Sequence, residues 1–408
     1  MTATGWPALR HPLFVRLWVG GIVSAVGTQM SNVAKVWVLF ALTGSAAALG
    51  MEGLCFSVPM MLLPLLTGPL ADRVDRARLL RWTMAAEAGL AAGLAVTATT
   101  GTLTPLLLYA TAALEAARLA VDIPARGALI ATVVPAEVLH SAQSLSSTVY
   151  SASALVGPAV GGLLLAAGQP SWVFAVNAVS CLVALAMFRG MPSPGRERHA
   201  LPRLGDGLRF AARHRVLLAL QAILLTSGAL VIGVETLLPV LDTTLWHGGS
   251  LGYGLLRAAP GLAAIAAGLV LARGRAPVTP GRTIAWCVAA AAVALAAVPV
   301  APWLPVAFVL LTLGSIAVSA AQVHTMTRLQ QLVTDDVRGA IGGLTAMTMS
   351  GFAGVGAAAM ALAAAGAGPT PVIAVVAAAA ALTGLTALAK PRLPAPSGSS
   401  TANLDRCT

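Results

Sequence analysis

Four ionisable residues, Glu115, Arg118, Asp122 and Arg126, stand three, four and four positions apart inside an apolar run of this chain. At about 100° per residue they share an arc of about 80° on one helix face, with the signs alternating along it. Such a stripe can pair with itself as an intrahelical ladder, or it can line a hydrated path along which charge is passed. It cannot face hydrocarbon, where each central charge costs about 2.5–3.5 kcal/mol. Two further couples emerge from depth. Lys35 and Glu52 lie in successive apolar runs, each about 9–12 Å from the shared end, and Glu235 and Arg257 repeat this in the second half with the signs exchanged. Each couple is expected to meet as a buried ion pair near one gate. Burial and a cationic neighbour act in opposite directions on a carboxylate's hold on its proton, so protonation of Glu52 or Glu235 would be tied to whether the pair is assembled. Lys35, Glu52, Glu115, Arg118, Arg126, Glu235 and Arg257 are therefore the candidates for lining a cavity and coupling to protons. Glu87 and His324 read as isolated polar residues facing neighbouring helices. No Walker-type phosphate loop and no metal-ligand spacing occurs in the sequence, so neither a cofactor nor a metal is expected, and the chain does not read as an enzyme.

The elements that must carry these residues follow from composition. Of 408 residues, 58% are hydrophobic and only 10% charged, which describes a chain whose surface faces lipid. A crossing needs about 20 apolar residues, and about 34 residues per crossing with its loop gives about twelve. The apolar runs fall near 13–43, 46–71, 79–100, 104–133, 137–167, 171–188, 216–243, 249–272, 282–299, 303–332, 337–366 and 370–389. The expected class is an all-α membrane protein of two pseudo-symmetric six-helix bundles, 1–189 and 216–390, with a linker at 190–215 and a disordered tail at 391–408. Duplication supports the halves: VPAEVLHSAQSL at 134–145 aligns with VTDDVRGAIGGL at 333–344. The net charge of +11 comes from basic residues dispersed between apolar runs, which excludes a nucleic-acid face. With the start of the chain inside, the inner loops hold Arg10, Arg16, Arg73, Arg76, Arg78, Arg81, Arg273, Arg275, Arg282 and Arg338, and the outer turns hold no Lys or Arg. Both termini are thus expected in the cytoplasm.

Three segments carry a motif. Gly68, Asp72, Arg73 and Arg76, in GPLADRVDRARLLR, fit G-x-x-x-D-R-x-x-R between the second and third runs. GPAVGG at 157–162, with Ser153 before it, puts proline and close-packing glycines into the fifth run, as a hinge or a tight crossing. DIPAR at 122–126 ends the charged stripe. Together these resemble the major facilitator superfamily, and within it a bacterial exporter branch that includes enterobactin and macrolide efflux proteins. The resemblance implies inverted repeats within each half and a fourth helix that faces a central cavity. It also implies a conformational latch of Gly68, Asp72, Arg73, Arg76 and Asp122, in which Asp72 caps the eleventh helix and Arg73 or Arg76 pairs with Asp122. Ser153, Gly157, Pro158, Gly161 and Gly162 would form the antiporter motif. The implied activity is secondary efflux of a small amphipathic organic compound across a bacterial cytoplasmic membrane, by a monomer exchanging it for protons. A lipid flippase of the same fold and a non-transporting receptor or scaffold are the alternatives.

Overall fold

The structure, a computed structural model, describes residues 6–71, 75–192, 214–273, 280–333 and 335–388, and among these there is no strand. The first bundle comprises α1 (Pro12–Thr43), α2 (Ala46–Ala71), α3 (Arg76–Thr99), α4 (Pro105–Val133), α5 (Leu139–Ala166) and α6 (Pro170–Met187). The second comprises α7 (Arg215–Leu241), α8 (Gly249–Arg273), α9 (Pro280–Ala296), α10 (Leu304–Leu332), α11 (Asp335–Met347), α12 (Ala353–Ala367) and α13 (Pro369–Thr386). A π turn at Thr348–Phe352 joins α11 and α12 into one crossing, so each bundle has six. All ends lie within three residues of the apolar runs read from the sequence.

Local chemistry explains the boundaries. Proline opens α1, α4, α6 and α13, where a missing N–H costs nothing. Gly44, at φ 60°, closes α1 in the left-handed region, with its N–H on Phe40 O at 2.7 Å. Asp75 caps α3 by accepting from Arg78 N at 2.9 Å. The 32 residues of α1 extend about 48 Å, longer than a bilayer's hydrocarbon core. Eleven helices of the described residues are long and apolar enough to cross a membrane. α4 is not one of them, because any window of that length on it includes at least three of its four charges. Large apolar side chains on the outside, such as Leu106, Trp286 and Val293, are about 70% exposed and suit lipid contact.

We call the end where α1 begins the near end and the other the far end. The bundles join chiefly through α5 against α8 and α2 against α12. From the far end to mid-depth these contacts are made backbone to backbone. A Cβ on Gly254 would lie 2.6 Å from Gly162 Cα, and one on Gly50 would lie 2.8 Å from Ala358 O. Trp37 of α1 stacks on Tyr253 of α8 across the same junction, with centroids 5.6 Å apart.

Candidate functional site

Between these contacts and the near end lies a cavity of about 330 Å³. Its wall comes from α1 to α5 and includes the charged stripe: Glu115, Arg118, Asp122 and Arg126 all line it. Gln29, Asn32 and Tyr150 add polar groups, and Phe14, Trp18 and Phe56 add aromatic ones.

The stripe is not a self-satisfied ladder. Only Asp122 and Arg126 pair along the helix, at 3.2 Å, and Thr83 donates to the other Asp122 oxygen at 2.9 Å. The upper two charges reach other helices. Glu115 pairs with Lys35 of α1, and Arg118 Nε lies 2.8 Å from Glu87 Oε2 of α3. Asn177 of α6 donates to Glu87 at 3.2 Å and Thr28 of α1 at 3.5 Å. Four helices are thereby tied together in the core of the first bundle. These charges are almost dry: Glu115 is 2% exposed, Lys35 4% and Glu87 5%. A membrane interior admits such groups only as mutually neutralising partners.

Two sequence expectations need correction. Lys35 pairs with Glu115 and not with Glu52, because equal depth leaves open which way a helix is turned, and α1 presents Lys35 to α4. Glu52 is only half buried and stands in electrostatic reach of both Lys35 and Arg257, between the bundles. Glu87, read as isolated, is an ion-pair partner. Nothing in the sequence marked this pairing, because Arg118 has an acid on its own helix face on either side, Glu115 and Asp122. In the second bundle Glu235 and Arg257 do meet, α7 to α8.

The proline–glycine segment forms a tight crossing within a continuous α5. Cβ atoms on Gly157 and Gly161 would lie 2.9 Å from Val26 O and 3.1 Å from Met30 Cα of α1, and one on Gly162 would lie 2.7 Å from Ser250 O of α8. Ser153 is buried and donates to Tyr150 O at 2.9 Å. Of the latch residues, Gly68 falls in the last turn of α2, Arg76 opens α3, and Asp122 is held by Arg126 and Thr83. Asp72 and Arg73 lie outside the described residues. Residues that the sequence reading missed are Thr83, Asn177 and Phe188, the last lying 5.5 Å beneath the Arg126 guanidinium. Uncharged residues in an apolar run give no period or sign that marks them. Thr83→Val is expected to cost about 1–3 kcal/mol, since Asp122 would keep a buried oxygen without its donor. Thermal unfolding in detergent measures it.

Residues 3–406 match the profile of the transmembrane secretion effectors of the major facilitator superfamily. The chain belongs to this family. Among its relatives are the staphyloferrin A transporter of Staphylococcus aureus, 25% identical over 60% of this chain and 63% of its own length, and macrolide efflux protein A of Streptococcus pyogenes, 26% identical over 47% and 46%. The chain thus spans under two thirds of either. The multidrug efflux pump Tap of Mycobacterium tuberculosis is 26% identical over 82% of this chain and 83% of its own. In fold it is similar to the nucleoside transporter NupG, with TM-score 0.73, 13% identity and 92% and 99% coverage. An inward-facing bacterial homologue of the lysosomal transporter Spinster gives 0.70, with 14% identity and 95% and 98% coverage. By family and by its long apolar helices the chain is a multi-pass membrane protein of the major facilitator superfamily.

Proposed function

We propose that this protein is an efflux transporter that expels a small amphipathic organic compound from a bacterial cell by alternating access, in exchange for protons. The observation that carries this reading is the mid-depth cavity, bounded toward the far end by close inter-bundle contacts and reaching toward the near end. A 330 Å³ space is of the size that takes a small organic ligand. The names of the relatives, a siderophore transporter and two kinds of drug exporter, support outward transport of such compounds. With both termini cytoplasmic, as the distribution of arginines favours, the near end is the inner face and this is the inward-facing arrangement. Residues 1–189 and 216–390 would then be the two rocking units, with 190–215 as linker and 391–408 as tail.

A growth-inhibition panel in an efflux-deficient host tests the reading. The chain is expected to raise tolerance to at least one macrolide, drug or chelator, and Asp72→Asn is expected to abolish that gain. No change for any compound would overturn it. Proton exchange has its own test in Glu235→Gln, which keeps shape but removes the proton site. In everted vesicles it is expected to reduce proton-driven uptake about tenfold, equivalent to about 1.4 kcal/mol. Unchanged uptake would remove Glu235 from the coupling.

A further inference from the structure

The cavity wall holds two acids and two bases, yet they are not equally accessible. Glu115, Arg118 and Asp122 are 2%, 8% and 5% exposed; Glu115 and Arg118 are paired with Lys35 and Glu87 of other helices, and Asp122 with Arg126. Arg126 is the exception. Its side chain is 25% exposed against 7% for its partner Asp122. Nε and Nη2 both turn to the same oxygen, Asp122 Oδ2, at 3.3 and 3.2 Å, which leaves the remaining guanidinium donors without an acceptor among the described residues. Phe188 supports the guanidinium from below at 5.5 Å, and Gly21, where a Cβ would come within 3.0 Å of Nη1, leaves room for it. The same order recurs in the second bundle, where Arg257 is 27% exposed and Glu235 14%. Glu52, the half-buried carboxylate between the bundles, lies in the field of Lys35 and Arg257, whose ion pairs are made with Glu115 and Glu235.

The most exposed charged group of this cavity's wall is therefore a guanidinium. A planar guanidinium with free donors recognises a carboxylate or similar oxyanion, and Trp18, Phe56 and the 73% exposed Tyr150 offer rings to an aromatic body. We propose that Arg126 is the anion-recognition residue of this cavity, and that the cargo is an organic anion with an aromatic or apolar body. This rests on the efflux reading above and narrows its cargo.

Two dyes on one xanthene core, anionic fluorescein and cationic rhodamine 123, test it by fluorescence anisotropy with the purified full chain. Fluorescein is expected to bind at least about tenfold more tightly than rhodamine 123, the effect of about 1.4 kcal/mol from one charge-assisted contact. Arg126→Gln is expected to erase that preference and Arg126→Lys to retain part of it. The comparison of dyes on the unaltered chain needs no variant to fold. Equal binding of the dyes, tighter binding of rhodamine 123, or binding of neither overturns the inference. So does a preference that survives in a folded Arg126→Gln protein. Flux into proteoliposomes separates the two readings. Arg126-dependent fluorescein binding without flux of any probe sinks transport and keeps anion recognition, whereas rhodamine 123 flux without fluorescein flux sinks recognition and keeps transport.

Discussion

Glu87→Ala is expected to destabilise the protein by about 3–5 kcal/mol, the loss that follows when one member of a buried pair is removed. Arg118 is 8% exposed, and its Nε has no well-aligned hydrogen-bond acceptor to replace the Glu87 carboxylate. Asn177 and Thr28 lose their acceptor with it. The cost therefore comes less from a lost attraction than from a cation left in a dry bundle core. Replacing both members, Glu87→Met with Arg118→Met, is expected to restore most of the stability, because an apolar pair of similar volume leaves no charge to solvate. Thermal unfolding in detergent, followed by circular dichroism, measures all three proteins. Because the pair is shielded from solvent, the gap between wild type and Glu87→Ala is expected to persist from low to high salt. A Glu87→Ala protein as stable as wild type would mean the ion pair does not hold the four helices together.

Gly254→Val should have the second large effect, on conformation. Even a Cβ at this position would lie 2.6 Å from both Gly162 Cα and Pro158 O. These are backbone atoms, which have no rotamer with which to give way. Overpacking of this kind costs about 1–3 kcal/mol, and here it is charged only to the arrangement in which α5 and α8 touch at the far end. An equilibrium between two arrangements would move about fivefold to 150-fold away from it. Distances between spin labels placed on α5 and α8 at the far end should lengthen, and transport in the growth panel should fall by a similar factor. Gly268, on the same helix with open space where its Cβ would stand, is the control, and Gly268→Val is expected to change neither. Unchanged label distances in Gly254→Val would show that the glycine contact does not set the arrangement.

The helices themselves were legible residue by residue. A crossing is decided by the transfer free energy of about 20 consecutive side chains, and prolines and glycines such as Pro105, Pro170 and Gly44 mark its ends through their own backbone constraints. The face shared by Glu115, Arg118, Asp122 and Arg126 was equally available, since helical spacing is local. Their partners were not. Depth along a helix can be counted, but rotation about its axis is set by what packs against it, so Lys35 turned to Glu115 and Arg118 to Glu87.

By itself, then, the sequence determined twelve crossings in two bundles and a charged stripe on the fourth, because hydrophobicity and helical period act along the chain. Only the tertiary structure decided which acid answers which base, that Gly162 faces Gly254, and that Arg126 stays open to the cavity while Asp122 is covered. Those facts depend on the azimuth of each helix and on the approach of residues tens to hundreds of positions apart, and no local pattern encodes either.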